Sequence, residues 1–94
     1  MFGKPKKAKL SKDDAKFLKE FCLTPQTFLT PNRVECYLTL QPSEGSIQMA
    51  SLLIKDLRTA LDHINSGDSG WTETAKDLTS ALESVIDNFI IYEL

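Results

Sequence analysis

The sequence predicts an all-α fold: a small helical bundle built on a long antiparallel αα-hairpin, residues 46–65 and 72–92, with an N-terminal helix at 12–22. Three observations predict it. Ile47, Ala50, Ile54, Leu57, Leu61 and Ile64 recur at 3-4-3-4-3 spacing. Trp71, Ala75, Leu78, Leu82, Val85, Phe89 and Tyr92 recur at 4-3-4-3-4-3. Only Asn65-Ser66-Gly67-Asp68-Ser69-Gly70 separates the two rows, and so short a connection forces neighbouring helices to run antiparallel. Both rows average about 3.5 residues per repeat, the seam of helices crossing at about +20°.

The remaining elements follow in chain order. Residues 1–10 read as a flexible basic arm, broken by Gly3 and Pro5, and residues 11–94 as a single helical domain. Ser11 with Asp14 three residues on resembles a capping box, and Asp13 and Asp14 suit the positive end of a helix dipole. Ala15, Leu18 and Phe21 or Cys22 then share a face, with Phe17 beside them.

Residues 23–42 admit two readings. Thr24-Pro25 and Thr30-Pro31 are each an N-cap followed by Pro at the first helical position. That reading gives a helix over 31–41, stopped by Pro42, with Val34, Tyr37 and Leu38 on one face. Against it, Val34 to Gln41 alternates apolar and polar and is rich in strand formers. That alternative is an α+β fold with a β-hairpin at 26–41, turning at Thr30-Pro31-Asn32-Arg33. The balance falls on the helix.

Ser43-Glu44-Gly45-Ser46 starts the next helix, and Gly67 ends it in the left-handed conformation. Thr72 is expected to cap the last helix, and Trp71 to close the open end of the hairpin. Met49, Leu53 and Ala60 form a second strip, expected to meet the N-terminal helix and the 23–42 region.

Composition sets the outer limits. The chain has 94 residues, 41% hydrophobic and 26% charged, which suits one globular domain and excludes wholesale disorder. No apolar run approaches the ~20 residues of a membrane span. The basic N-terminus has no apolar segment after it, so it does not read as a secretory signal. The expectation is a soluble, cytoplasmic protein with Cys22 and Cys36 reduced.

No chemistry-bearing motif is present. His63 is the sole histidine, Cys22 and Cys36 lack a CxxC spacing, and the glycines form no phosphate loop. No cofactor, metal site or enzymatic activity is expected.

Charge is uneven. Residues 1–33 carry seven Lys and one Arg against three acids, a net of +5, whereas residues 34–94 carry three basic residues against ten acids, a net of −7. Lys4, Lys6, Lys7, Lys9, Lys12, Lys16 and Lys19 are the candidate contacts to a nucleic acid, with only Arg33 in that half to read bases. Glu73, Asp77, Glu83 and Asp87 lie in one arc of the last helix, a candidate docking face for a basic or nucleic-acid-binding protein whose phosphate track it would imitate. The segment Phe89-Ile90-Ile91-Tyr92-Glu93-Leu94 is apolar nearly all round. Ile90, Ile91 and Leu94 are the candidate contacts to another chain, including a second copy in a homodimer. Protein binding, as an adaptor, inhibitor or regulatory subunit, is the leading expectation. Nucleic-acid binding through the lysines is the alternative.

Overall fold

The computed structural model describes residues 9–93. Within them the chain forms four α-helices: α1 (Lys12–Phe21), α2 (Pro31–Thr39), α3 (Glu44–Asn65) and α4 (Thr72–Glu93), with a 3-10 turn (Ser69–Trp71) before the last. No strand occurs among the described residues. The β-hairpin at 26–41 is therefore corrected to a loop and a helix. Thr30 decides it: its hydroxyl accepts from the Arg33 amide at 3.2 Å, and Pro31 sits at the first helical position. Burial in α2 follows a spacing of three, with Val34 and Tyr37 innermost, instead of the alternation a strand would need.

The other ends are capped by similar means. Ser11 accepts from the Asp14 amide and Ser43 from the Ser46 amide. α3 closes in a Schellman turn: the Asp68 amide donates to the His63 carbonyl at 2.9 Å and the Gly67 amide to the Ile64 carbonyl at 3.0 Å. Gly67 takes φ 97°, where any side chain would be strained. Thr72 does not cap α4. Its hydroxyl donates to the Ser69 carbonyl at 2.8 Å, while Asp68 caps the 3-10 turn by accepting from the Gly70 amide. Trp71 does sit over the hairpin end, stacked on His63 with centroids 4.3 Å apart and planes 5° from parallel.

The helices form a ring in which α1 packs on α2 and α3, and α4 packs on α2 and α3. Asp14 meets Ser51 and Phe17 lies under Arg58, so α1 runs in the same direction as α3. Thr27 meets Glu83 and Arg33 meets Asp87, so the chain into α2 runs in the same direction as α4. Two antiparallel pairs thus stack face to face. Leu18, Phe21, Val34, Tyr37, Ile54, Leu57, Leu82 and Ile86 fill the space between them. Tyr37 is fully buried, and its hydroxyl reaches Ser46 Oγ at 2.9 Å while its ring meets Phe89 edge-on at 5.6 Å. Ser46 of α3 and Phe89 of α4 therefore stand at one level of the hairpin.

The seam of α4 is rotated from the spacing pattern. Ala75, Thr79, Leu82 and Ile86 are buried, whereas Leu78 and Val85 are only half-buried and Tyr92 is exposed. The cause is that α4 faces two neighbours. α2 draws the buried row away from the α3 seam toward the Glu83 and Asp87 side. The buried Thr79 hydroxyl is satisfied by the Ala75 carbonyl at 2.8 Å. A second correction concerns Met49: Ala60 is buried and Leu53 packs on the core, but α1 lies along the Ser51 and Arg58 edge of α3 and Met49 stays 52% exposed.

Candidate functional site

The four acids of α4 divide into two pairs. Glu83 is an internal strut: its Oε2 accepts from the Thr27 hydroxyl at 2.7 Å and from the Phe28 amide at 2.6 Å. Asp87 accepts from Nη1 of Arg33 with both carboxylate oxygens, each at 3.2 Å. Together they fasten the loop before α2, and α2 itself, to α4. Glu73 is exposed and, among the described residues, meets only Lys76, at 3.8 Å, and Asp77 is exposed with no ion pair among them. The acidic surface facing outward is thus Glu73 and Asp77, near the start of α4.

The lysines divide in the same way. Lys12, Lys16 and Lys19 are exposed on α1 and form no ion pair within the described residues, and Lys9 is exposed just ahead of them. Lys4, Lys6 and Lys7 lie outside the described residues.

The apolar end of α4 is more revealing. Ile90 is half-buried and packs against the core, Ile91 is 69% exposed and Tyr92 89%. Leu94 lies outside the described residues. Two side chains of α3 share this end of the bundle, Met49 at 52% exposure and Leu52 at 60%. Met49 stands about one turn from the level of the hairpin that Ser46 and Phe89 mark. Helical side chains lean toward their own N-terminus, so on antiparallel helices Tyr92 and Met49 lean toward each other. Half-buried Leu53 and Val85 lie between them in helical phase.

Helical phase, at about 100° per residue, puts Met49 and Leu52 roughly 100–160° around α3 from the Ser51 edge that α1 covers. Val85 and Tyr92 lie similarly far around α4 from the Glu83 and Asp87 edge that α2 covers. No described element packs on this outer side of the hairpin. A separate shallow dish of about 440 Å³ lies on the other flank of Leu52, walled by Ile47, Gln48 and Ser51 on the side where α1 packs. Met49, Leu52, Leu53, Val85 and Tyr92 make the apolar part of this face, and exposed Asp56 stands one turn beyond Leu52 in the same arc of α3.

No protein-family model, curated protein or solved structure gives a significant match to this chain.

The rest of the molecule offers little chemistry. Among the described residues no three His, Cys, Asp or Glu side chains gather closely enough to hold a metal ion. The cleft between Phe21, Leu61, Ile64 and Ala75 holds about 180 Å³, below the ~300 Å³ typical of small-molecule sites. Cys22 is buried, its thiol donating to the Lys19 carbonyl at 3.3 Å, and burial pushes its pKa up, away from a reactive thiolate. No described helix is long and apolar enough to cross a membrane.

The sequence places Ile91 off the seam, and it is exposed, but gives no sign that Met49 and Leu52 are exposed as well. It assigned Tyr92 to the seam. The signal available was that Met49 and Leu52 fall off the 3-4 row of α3 while remaining apolar.

Proposed function

We propose that this protein is a small, non-enzymatic protein-binding module, an adaptor, inhibitor or regulatory subunit, and that its contact surface is the outer face of the α3/α4 hairpin. The observation that carries the reading is the set of Met49, Leu52 and Tyr92, all more than half exposed toward one end of the hairpin, with exposed Ile91 on the neighbouring edge of α4. Large apolar side chains scattered singly are ordinary on a soluble surface, whereas a contiguous set of them commonly marks an interface. Tyr and Met are also types that interfaces favour. The acidic contribution to the surface is Glu73 and Asp77, since Glu83 and Asp87 already have partners within the chain. A cytoplasmic setting accords with two unpaired cysteines.

The test compares captures by the full chain and by the Leu52→Glu and Tyr92→Lys variants, each with and without nuclease. A protein retained after nuclease and lost from both variants supports the reading. Captures that are identical for all three chains contradict it.

A second reading, nucleic-acid binding, draws on the unpaired Lys12, Lys16 and Lys19 and the lysines ahead of them. It predicts weak binding to any sequence, falling steeply with salt. Binding unchanged between low and high salt contradicts it.

A further inference from the structure

We infer that a cavity where α1, α2 and α3 converge binds a short aliphatic monocarboxylate, with the carboxylate head on two lysines and the tail on the apolar lining. The site shares no residue with Met49, Leu52 and Tyr92, and does not rest on the reading of that face.

The cavity holds about 240 Å³. Buried Pro42 and Ile47 form its floor, and half-buried Leu10, Ala15 and Leu38 its walls. Lys9 and Lys19 stand at its rim, exposed and without an ion pair among the described residues. Ala15 and Lys19, four apart, share one face of α1, and Lys9 and Leu10 lead into that helix.

This lining decides the class of ligand. Among its side chains only the two ammonium groups form hydrogen bonds, and both are donors alone. A ligand with hydroxyl or amide groups along its length would leave them unpaired against apolar walls. One anionic head with an apolar remainder leaves none. No Asp or Glu lines the cavity to repel that head. Two carboxylates of the neighbouring helix starts are engaged elsewhere: Asp14 accepts from the Ser51 hydroxyl at 3.0 Å and Glu44 from the Gln48 amide at 3.3 Å.

The backbone favours the same charge. α1 and α3 run in the same direction, so the positive ends of both helix dipoles lie at this end of the bundle. Leu10 and Pro42 each directly precede an N-cap, Ser11 and Ser43.

Size sets the length of the ligand. The cavity is smaller than the ~300 Å³ of a drug-sized site. At the ~30 Å³ that liquid water gives each molecule, it takes about eight heavy atoms, as in hexanoate. So small a ligand, held by exposed ammonium groups, binds with a Kd of about 1 mM.

The experiment titrates the full chain with sodium hexanoate from about 0.1 to about 20 mM, at constant ionic strength, and follows backbone amide shifts. The expected result is saturable shifts centred on Leu10, Ala15, Lys19, Leu38 and Ile47. Acetate, which has the head without the tail, binds at least about tenfold more weakly. Hexanol, which has the tail without the charge, binds about two- to fivefold more weakly, and Lys19→Gln costs hexanoate a similar factor. Lys16→Gln, at an exposed lysine outside the cavity, leaves the affinity unchanged. No saturation by the highest concentration overturns the inference. So does acetate binding as well as hexanoate, or equal shifts at Lys12 and Lys16, since either would show only loose attraction of anions to the α1 lysines.

Discussion

Replacing Glu83 separates a structural carboxylate from a surface one. On the helical wheel it belongs to an acidic, solvent-facing arc, and an ordinary surface substitution changes stability by less than about 0.5 kcal/mol. In the fold its Oε2 takes two hydrogen bonds from a loop 55 and 56 residues away in sequence. Bonds to an ionised acceptor contribute about 1.5–3 kcal/mol each when shielded, and these are only partly shielded. Glu83→Ala also strands the Phe28 amide, although water can replace part of what is lost. The net expectation is a loss of about 2 kcal/mol. Glu83→Gln keeps one acceptor oxygen without the charge and is expected to lose about 1 kcal/mol. Urea unfolding followed by circular dichroism reads this directly, because a chain of this size has a slope near 1–2 kcal/mol/M and the midpoint would fall by roughly 1 M for the Ala variant. A double-mutant cycle with Thr27→Val isolates the hydroxyl bond and should return a coupling of about 0.5–1.5 kcal/mol. A Glu83→Ala midpoint within error of the parent, or a coupling near zero, would refute the assignment of Glu83 as a strut and return it to the candidate docking face.

Three further outcomes follow from the fold. Gln41 closes α2 at φ 53°, a left-handed conformation that costs a residue with a side chain about 1 kcal/mol, so Gln41→Gly should stabilise the chain by roughly 0.5–1 kcal/mol, read as a higher thermal midpoint. Burial raises the Tyr37 phenol above its ordinary pKa of 10.0, so the folded state favours the protonated form. Stability from this group is therefore complete below pH 10 and falls as pH rises toward the folded pKa, by up to about 1.4 kcal/mol per pH unit, and Tyr37→Phe should flatten that decline in urea midpoints measured from pH 8 to 11. Half-buried Cys36 should react with a thiol reagent well before buried Cys22, whose raised pKa also lowers its thiolate fraction; equal rates would contradict the packing of the α1 C-terminus.

The legible part of this fold is what local physics decides. The two long rows of apolar residues and the Gly67 stop required only periodicity and a positive φ, and α3 and α4 lie where those signals put them. α2 was harder because Val34 to Gln41 satisfies a two-residue and a three-to-four-residue period alike. The hydrogen bond from the Arg33 amide to Thr30, with Pro31 behind it, breaks the tie. The phase of α4 was out of reach for a different reason. Leu78 and Thr79, and Val85 and Ile86, stand side by side on the wheel, and only the position of α2 determines which of each pair is buried. The acids show the same limit more sharply: nothing local distinguishes Glu83 from Glu73, because its partners Thr27 and Phe28 arrive through the tertiary fold. Met49 and Leu52 escaped notice as a surface for the same reason, since only the course of α1 along the Ser51 edge leaves them uncovered.

The most direct test of the central claim is residue-resolved. Backbone amide hydrogen exchange of the full chain is compared alone and saturated with the nuclease-resistant protein it captures. The proposed face predicts added protection confined to residues 47–53 of α3 and 85–92 of α4, with Lys12 to Lys19 and Thr27 to Arg33 unchanged. Protection centred on the α1 lysines, or none at either long helix, would contradict it.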